Sequence, residues 1–320
     1  MSDTTQTIAA SAGLLKTKEA GNAPRIQVIL AFLAIYLIWG STYLAIRYAV
    51  ETIPPLVTAG FRHLIAGTIL LSWLLVKGQR PSRAQVLASV VIGFFFFLIG
   101  HGSLHWAEQY VPSGTASLLI AIEPIIVFLM SSAGARVWRV NGLLVGGILS
   151  GLIGVGILVS GASLGAGGHG ALGPFAVLLG AMSWSYGIIY SRKSKLSGNP
   201  LLLSALSLLA GAVMLLTAAA LAGEFKSFRI ASVTPRSWAS LGYLIVFGSI
   251  IAFTAYNWLL EHYSPTLVAT HTYVNPVVAV LLGWLLGGEA ITVSVAMAAT
   301  MVVGAVVLVD RGTNKLYHLR

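Results

Sequence analysis

Ten apolar runs of about twenty residues, separated by short polar stretches, limit what this chain can fold into. A bilayer core takes about twenty apolar residues per helix, and backbone in lipid must satisfy its own hydrogen bonds. Cut at charges, prolines and glycine clusters, the runs are Ile26–Ile46, Val57–Val76, Val86–His105, Pro112–Ser131, Val140–Ser160, Ala171–Ser191, Leu201–Leu221, Trp238–Leu260, Thr266–Leu286 and Ile291–Val309. The expected fold is an all-α polytopic membrane protein of ten transmembrane helices. Only 9% of residues are charged and 57% are hydrophobic, whereas soluble domains carry about a quarter charged residues. Residues 1–25 are polar and lack the apolar core and cleavage site of a signal peptide, so they read as a cytoplasmic tail. Residues 311–320 read as a second one.

The formal net charge of +10 would suggest nucleic acid in a soluble chain. Here its placement matters more. With the N-terminus inside, fourteen Lys and Arg fall at cytoplasmic ends and four (Arg47, Lys226, Arg229 and Arg236) at the opposite face, with Arg62 inside a span. This asymmetry puts both termini in the cytoplasm of a bacterial inner-membrane protein and removes the main support for a nucleic-acid partner. The lack of cysteine excludes disulfides and thiolate metal sites.

The sequence also repeats itself. Trp39 and Pro55 match Trp184 and Pro200, each 145 positions on; Trp106 and Pro124 match Trp258 and Pro276, each 152 on. Leu158-Val159 matches Leu308-Val309 at 150. Ordered matches with slowly drifting offsets imply two homologous halves, 26–160 and 171–310. Five spans per half is odd, so the second half is inverted, an architecture that puts transporter sites near the midplane at the repeat interface.

Pro124 and Pro276 sit at equivalent positions within spans four and nine. Proline removes one backbone hydrogen bond and crowds the carbonyl four residues earlier, and it disfavours helix at the preceding residue, Glu123 or Asn275. In lipid such a break is tolerated where protein or a water-filled cavity supplies partners. The two prolines are therefore candidate hinges, with a static kink as the alternative.

Ten spans, inverted halves, "WGSTY" in span one and the proline pair together resemble the EamA-type transporters of the drug/metabolite transporter superfamily. Within it the chain is most similar to bacterial exporters of aromatic amino acids. The resemblance covers Ile26 to Val309 and implies a basket of helices around a central cavity with alternating access.

The candidate cavity residues are polar or aromatic groups inside spans. Glu123 is the one Asp or Glu at mid-depth of a span; it either meets a substrate ammonium or a coupling proton, or is a hydrogen-bonded carboxyl that stabilises the kink. Its counterpart Asn275 cannot titrate, which weakens a two-carboxylate antiport. His101 and His105 share a helical face, and His105 matches Asn257. A zinc site would want a third ligand, and none lies nearby, so no metal is expected; the histidines either face the cavity or bond between helices. His271 and Asn275 extend a polar stripe along span nine. Trp39, Tyr43, Phe97, Trp184, Tyr190 and Tyr256 are the candidate aromatic walls, with core packing as the bland alternative. The glycines of span five, Gly147, Gly151, Gly154 and Gly156, follow no strand, so helix packing explains them better than nucleotide binding.

No catalytic signature is present, and neither an enzyme nor a cofactor is expected. The expected function is export of small organic metabolites, chiefly amino acids with aromatic or large apolar side chains, by a monomer whose partners are its substrate and the lipid bilayer. Efflux of drugs or amphipathic cations is the nearest alternative. A channel, which would want a continuous polar pore, and an intramembrane enzyme are the alternatives from other classes.

Overall fold

The computed structural model describes residues 24–132, 141–165, 171–193, 199–263 and 265–317, with no side-chain detail at 131–132, 161–165, 192–193, 265–266 and 313–317. Most of the N-terminal tail, Arg136, Trp138, Arg139, Lys195 and residues 318–320 lie outside the described residues.

Every described element is helical. The spans are α1 (Arg25–Ala49), α2 (Pro55–Val76), α3 (Arg83–Ala107), α4 (Ser113–Ile120 and Glu123–Ser132), α5 (Gly142–Gly165), α6 (Leu172–Lys193), α7 (Pro200–Leu221), α8 (Pro235–His262), α9 (Pro265–Val268 and His271–Leu285) and α10 (Val293–Tyr317). Among the described residues nine helices are long and apolar enough to cross a membrane. The tenth, His271–Leu285, is a shorter apolar helix, because the run expected as Thr266–Leu286 breaks at Ala269 and Thr270. The last helix continues past Val309 to Tyr317, into the segment expected as a tail.

Local sequence sets the helix starts. Pro55 and Pro200, repeat equivalents, each occupy the first helical position, where a missing N–H costs nothing. Ser82 and Gln85 form a reciprocal capping box at the start of α3, and the Thr234 hydroxyl accepts from the Ser237 N–H at the start of α8.

The packing follows the repeat. α2 lies on α7, α4 on α9 and α5 on α10; α1 meets α8 and α9, and α6 correspondingly meets α3 and α4. α3 against α7 is matched by α8 against α2. Lipid supplies no hydrophobic drive between helices, so close approach relies on small residues. A Cβ at Gly147 would stand 2.8 Å from Val309, and one at Gly154 2.9 Å from Val302, so these glycines let α5 lie flat on α10. Gly151 meets Ile125 of α4 instead, and Gly156 faces open space.

Three helices loosen to π-helical turns, at Ala34–Ile38, Phe94–His101 and Leu244–Ile251. The last two occupy corresponding parts of α3 and α8. Such turns leave carbonyls short of partners and cluster at functional sites.

The proline positions differ between halves. In α4 the helix stops at Ile120 and restarts at Glu123, so Pro124 falls in the first turn of a new segment, where its missing N–H is no loss and Glu123 meets the favourable end of the helix dipole. In α9 the break precedes His271, and the helix runs through Pro276.

Candidate substrate site

Two aromatic clusters lie at repeat-related places. In the first, the Trp39 ring of α1 contacts Phe253, Tyr256 and His271, with ring centroids 5.5, 5.1 and 5.1 Å away. Its indole N–H donates to the Gly248 carbonyl, 3.1 Å away, in the π-helical part of α8. In the second, Trp184 of α6 stacks on Phe96 at 4.2 Å and on His101 at 5.1 Å, its plane within 15° and 12° of theirs. Phe97 joins the two clusters: it lies 6.1 Å from Trp184 and 6.5 Å from Phe253 and is almost completely buried. The α3–α6 approach that permits this stack depends on glycine. A Cβ on Gly180 would come within 2.9 Å of the Gly100 carbonyl, and one on Gly187 within 2.4 Å of the Phe96 ring.

The polar candidates divide between the clusters. His271 Nδ1 donates to the Val268 carbonyl at 2.9 Å. The Asn275 amide faces three carbonyl oxygens, so its nitrogen is assigned to that side, where it donates to Ile35, Tyr36 and His271 at 3.1, 3.0 and 3.1 Å. Two of these belong to the π-helical turn of α1, so the residue before Pro276 clamps α9 to α1. Asn257 is buried and donates to Phe253 O at 2.7 Å and, at 3.5 Å, to Ser204 of α7. Tyr43 packs at the margin of the core around Ala45 and Leu104, Tyr190 is half-buried on α6, and Glu123 is half-buried beside Pro124. Among the described residues no ring contact joins Tyr43 or Tyr190 to either aromatic cluster.

Around His101 the structure assembles a basic group to which His63, not singled out in the sequence, belongs. His63 of α2 is fully buried, and its Nε2 lies 2.9 Å from His101 Nδ1. His105 Nδ1 donates to the His101 carbonyl at 2.7 Å. Arg62 is 2% exposed and donates through Nε to Ser249 Oγ of α8 at 2.8 Å. Arg62 Nη1, His63 Nδ1 and His105 Nε2 are buried without a hydrogen-bond partner among the described residues. The signal for Arg62 was visible as the single basic residue inside a span; His63 beside it carried none.

Among the described residues the most deeply buried carboxylate is Glu108, just beyond α3, rather than Glu123. Neither of its oxygens has a hydrogen-bond partner among the described residues. Burial holds its carboxyl well above the usual range; nearby Glu289 pushes the same way, while the charges of Arg47 and Arg62 oppose it. At the same face, Glu289 accepts from Arg47 Nη1 at 2.5 Å and from the Ser113 and Gly114 N–H groups at 2.7 and 3.0 Å. It thereby ties α1 to the N-terminus of α4. In the other half, Glu224 accepts from the Leu56 and Val57 N–H groups at the start of α2. A cleft of about 380 Å³ between α1, α8 and α9, lined by Tyr48, Arg236 and Leu286 among others, is separate from both aromatic clusters. No group of three His, Asp or Glu suited to a metal ion occurs among the described residues.

The model of the EamA-like transporter family matches the chain twice, at residues 26–161 and 171–310. The chain is 39% identical to the uncharacterized inner membrane transporter YedA of Escherichia coli strain K12 over 285 residues, 88% of this chain and 90% of that one. It is 26% identical to the uncharacterized transporter YoaV of Bacillus subtilis strain 168, over 87% of this chain and 94% of that one. A crystal structure 21% identical in sequence shares the fold with a TM-score of 0.61, over 89% of this chain and 98% of the other.

Proposed function

Because the chain belongs to the EamA-like transporter family, we propose that it exports small organic solutes across the bacterial inner membrane by alternating access, chiefly amino acids with aromatic or large apolar side chains. The observation that carries this reading is the continuity of the two aromatic clusters. Trp39 and Trp184, one from each half, are linked through Phe97 and Phe253, an apolar surface suited to a large side chain. The inner-membrane assignment is supported by the similarity to YedA. The distribution of Lys and Arg supports cytoplasmic termini.

Amphipathic cations fit less well. Arg62 and three histidines meet beside Trp184, and a buried cation repels another.

The test is flux into liposomes that hold the purified protein, across the common amino acids, with and without a pH gradient. Saturable uptake accelerated by the same amino acid on the far side is the expected result; unsaturable flux without that acceleration would mark a channel. Orientation is tested by single cysteines in this cysteine-free chain. An impermeant reagent added to intact cells should label a cysteine at Lys226 and spare one at Lys193, and the reverse pattern would invert the topology.

A further inference from the structure

We propose that Arg62 and Glu108, with His105, form a two-pronged site for the charged backbone of a zwitterionic α-amino acid: Arg62 takes its carboxylate, and Glu108 and His105 its ammonium. This deepens the amino-acid reading above and rests on it.

Arg62 and Glu108 are each 2% exposed, and His105 is fully buried. A charge so buried is costly unless paired, and among the described residues neither Arg62 nor Glu108 forms an ion pair; Arg62 keeps its charge, whereas burial favours the protonated form of Glu108 until an ammonium meets it. They are near enough for the charge of Arg62 to act on the Glu108 carboxyl, but they do not neutralise each other by contact. A ligand carrying one charge of each sign satisfies both.

The free atoms have matching chemistry. Arg62 has committed Nε to Ser249 and leaves Nη1, a donor, without a partner; a guanidinium is the side chain best shaped to hold a carboxylate. His105 gives its Nδ1 proton to the His101 carbonyl, so in the neutral ring Nε2 is a bare acceptor. Glu108 lies three residues further, on the same side of the chain as it leaves α3, and offers two unpartnered oxygens. An ammonium has three N–H donors; Glu108 and His105 present three acceptors. Phe97 and Trp184 border this group through His63 and His101, where the ligand's side chain would lie.

The position of Arg62 is built as well. A Cβ at Gly248 would stand 3.1 Å from Arg62 Nη2 and 3.0 Å from Thr42, so the guanidinium packs closely against this glycine.

The experiment measures binding of L-phenylalanine, phenethylamine (no carboxylate) and 3-phenylpropionate (no amine) to the purified full chain by calorimetry. The wild type should bind phenylalanine at least about tenfold more tightly than either analogue. Arg62→Gln should weaken phenylalanine and phenylpropionate by about tenfold or more and leave phenethylamine unchanged. Glu108→Gln should weaken phenylalanine and phenethylamine and spare phenylpropionate. Arg62→Lys, which keeps the charge, should retain the preference for a carboxylate and serves if Arg62→Gln does not fold.

Equal binding of an analogue and phenylalanine by the wild type would overturn the site. So would variants that weaken all three ligands alike or none. In either case the amino-acid reading survives if phenylalanine binds and is transported. If the wild type neither binds phenylalanine nor transports any amino acid in the flux screen, that reading falls and takes this one with it.

Discussion

The Trp184 indole lies nearly parallel to the His101 imidazole, 12° between planes and 5.1 Å between centroids. Its repeat partner Trp39 meets Phe253, which stands 152 positions after His101. Each tryptophan thus faces the same position of the opposite half, once against a basic ring and once against an apolar one. Trp184→Ala should lower phenylalanine flux by about fivefold, since an aromatic pair contributes about 1 kcal/mol beyond its buried area. A matched loss in the melting temperature and in surviving folded protein, with normal flux per folded molecule, would assign Trp184 to packing.

Glu289 is the anchor of a tie across one membrane face. Its side chain is 8% exposed, whereas that of Arg47 is 35% exposed. Glu289→Ala strands two backbone N–H groups and a guanidinium, and it should cost about 3 kcal/mol of stability. Arg47→Ala removes the more exposed partner and should cost less than about 1 kcal/mol. Thermal melts of the two purified variants give the comparison; equal losses would mean that the N-terminus of α4 does not depend on the carboxylate.

Glu108 gives a pH dependence with a definite sign. Its folded-state pKa lies above the ordinary carboxylate value, with burial as the main cause, so folding favours its protonated form. The stabilisation is fully present below the ordinary pKa and is lost as pH rises through the raised one. Melting temperature without substrate should therefore fall over that window, and Glu108→Gln should remove this component. Phenylalanine affinity should move the other way in the wild type, rising with pH as the carboxylate ionises. Arg47, Arg62, Glu289 and His105 surround the same region, so the comparison is between wild type and Glu108→Gln rather than against a free carboxylate.

The prolines should not be interchangeable. Pro124 starts a segment after a break, while Pro276 sits within a helix that Asn275 clamps to α1. Pro124→Ala allows the two parts of α4 to join and should slow flux severalfold. Pro276→Ala restores a backbone bond in a helix already continuous and should change flux less. Flux through the two variants, each compared with cysteine accessibility from both sides, decides this; equal effects would return the two positions to symmetric roles.

The span pattern, the repeat and the pairing of Trp39 with Trp184 were legible because lipid imposes length and hydropathy on every helix. The break in α9 was not, since Ala269 and Thr270 carry no proline or charge to mark it. The π-helical turns escaped for a similar reason: "FFFFLIGH" reads as an ordinary apolar helix. Glu108 was overlooked because it stands beyond the last apolar turn of α3, where the usual fate of a carboxylate is solvent. Arg62 stands out in the sequence as the single basic residue inside a span, but only its three-dimensional setting with His63, His101 and His105 gives it a role.

The main contacts of α2, α4 and α5 with α7, α9 and α10 all run from one half of the chain to the other. Neither half encloses its own inner surface, so covalent continuity between Gly165 and Leu172 is secondary to recognition between the two pieces. A chain severed there and produced as two co-expressed fragments should recover activity, while either fragment alone should be cleared by proteolysis. The linker then acts as a tether that fixes stoichiometry, and mutual templating of the halves is what completes the fold.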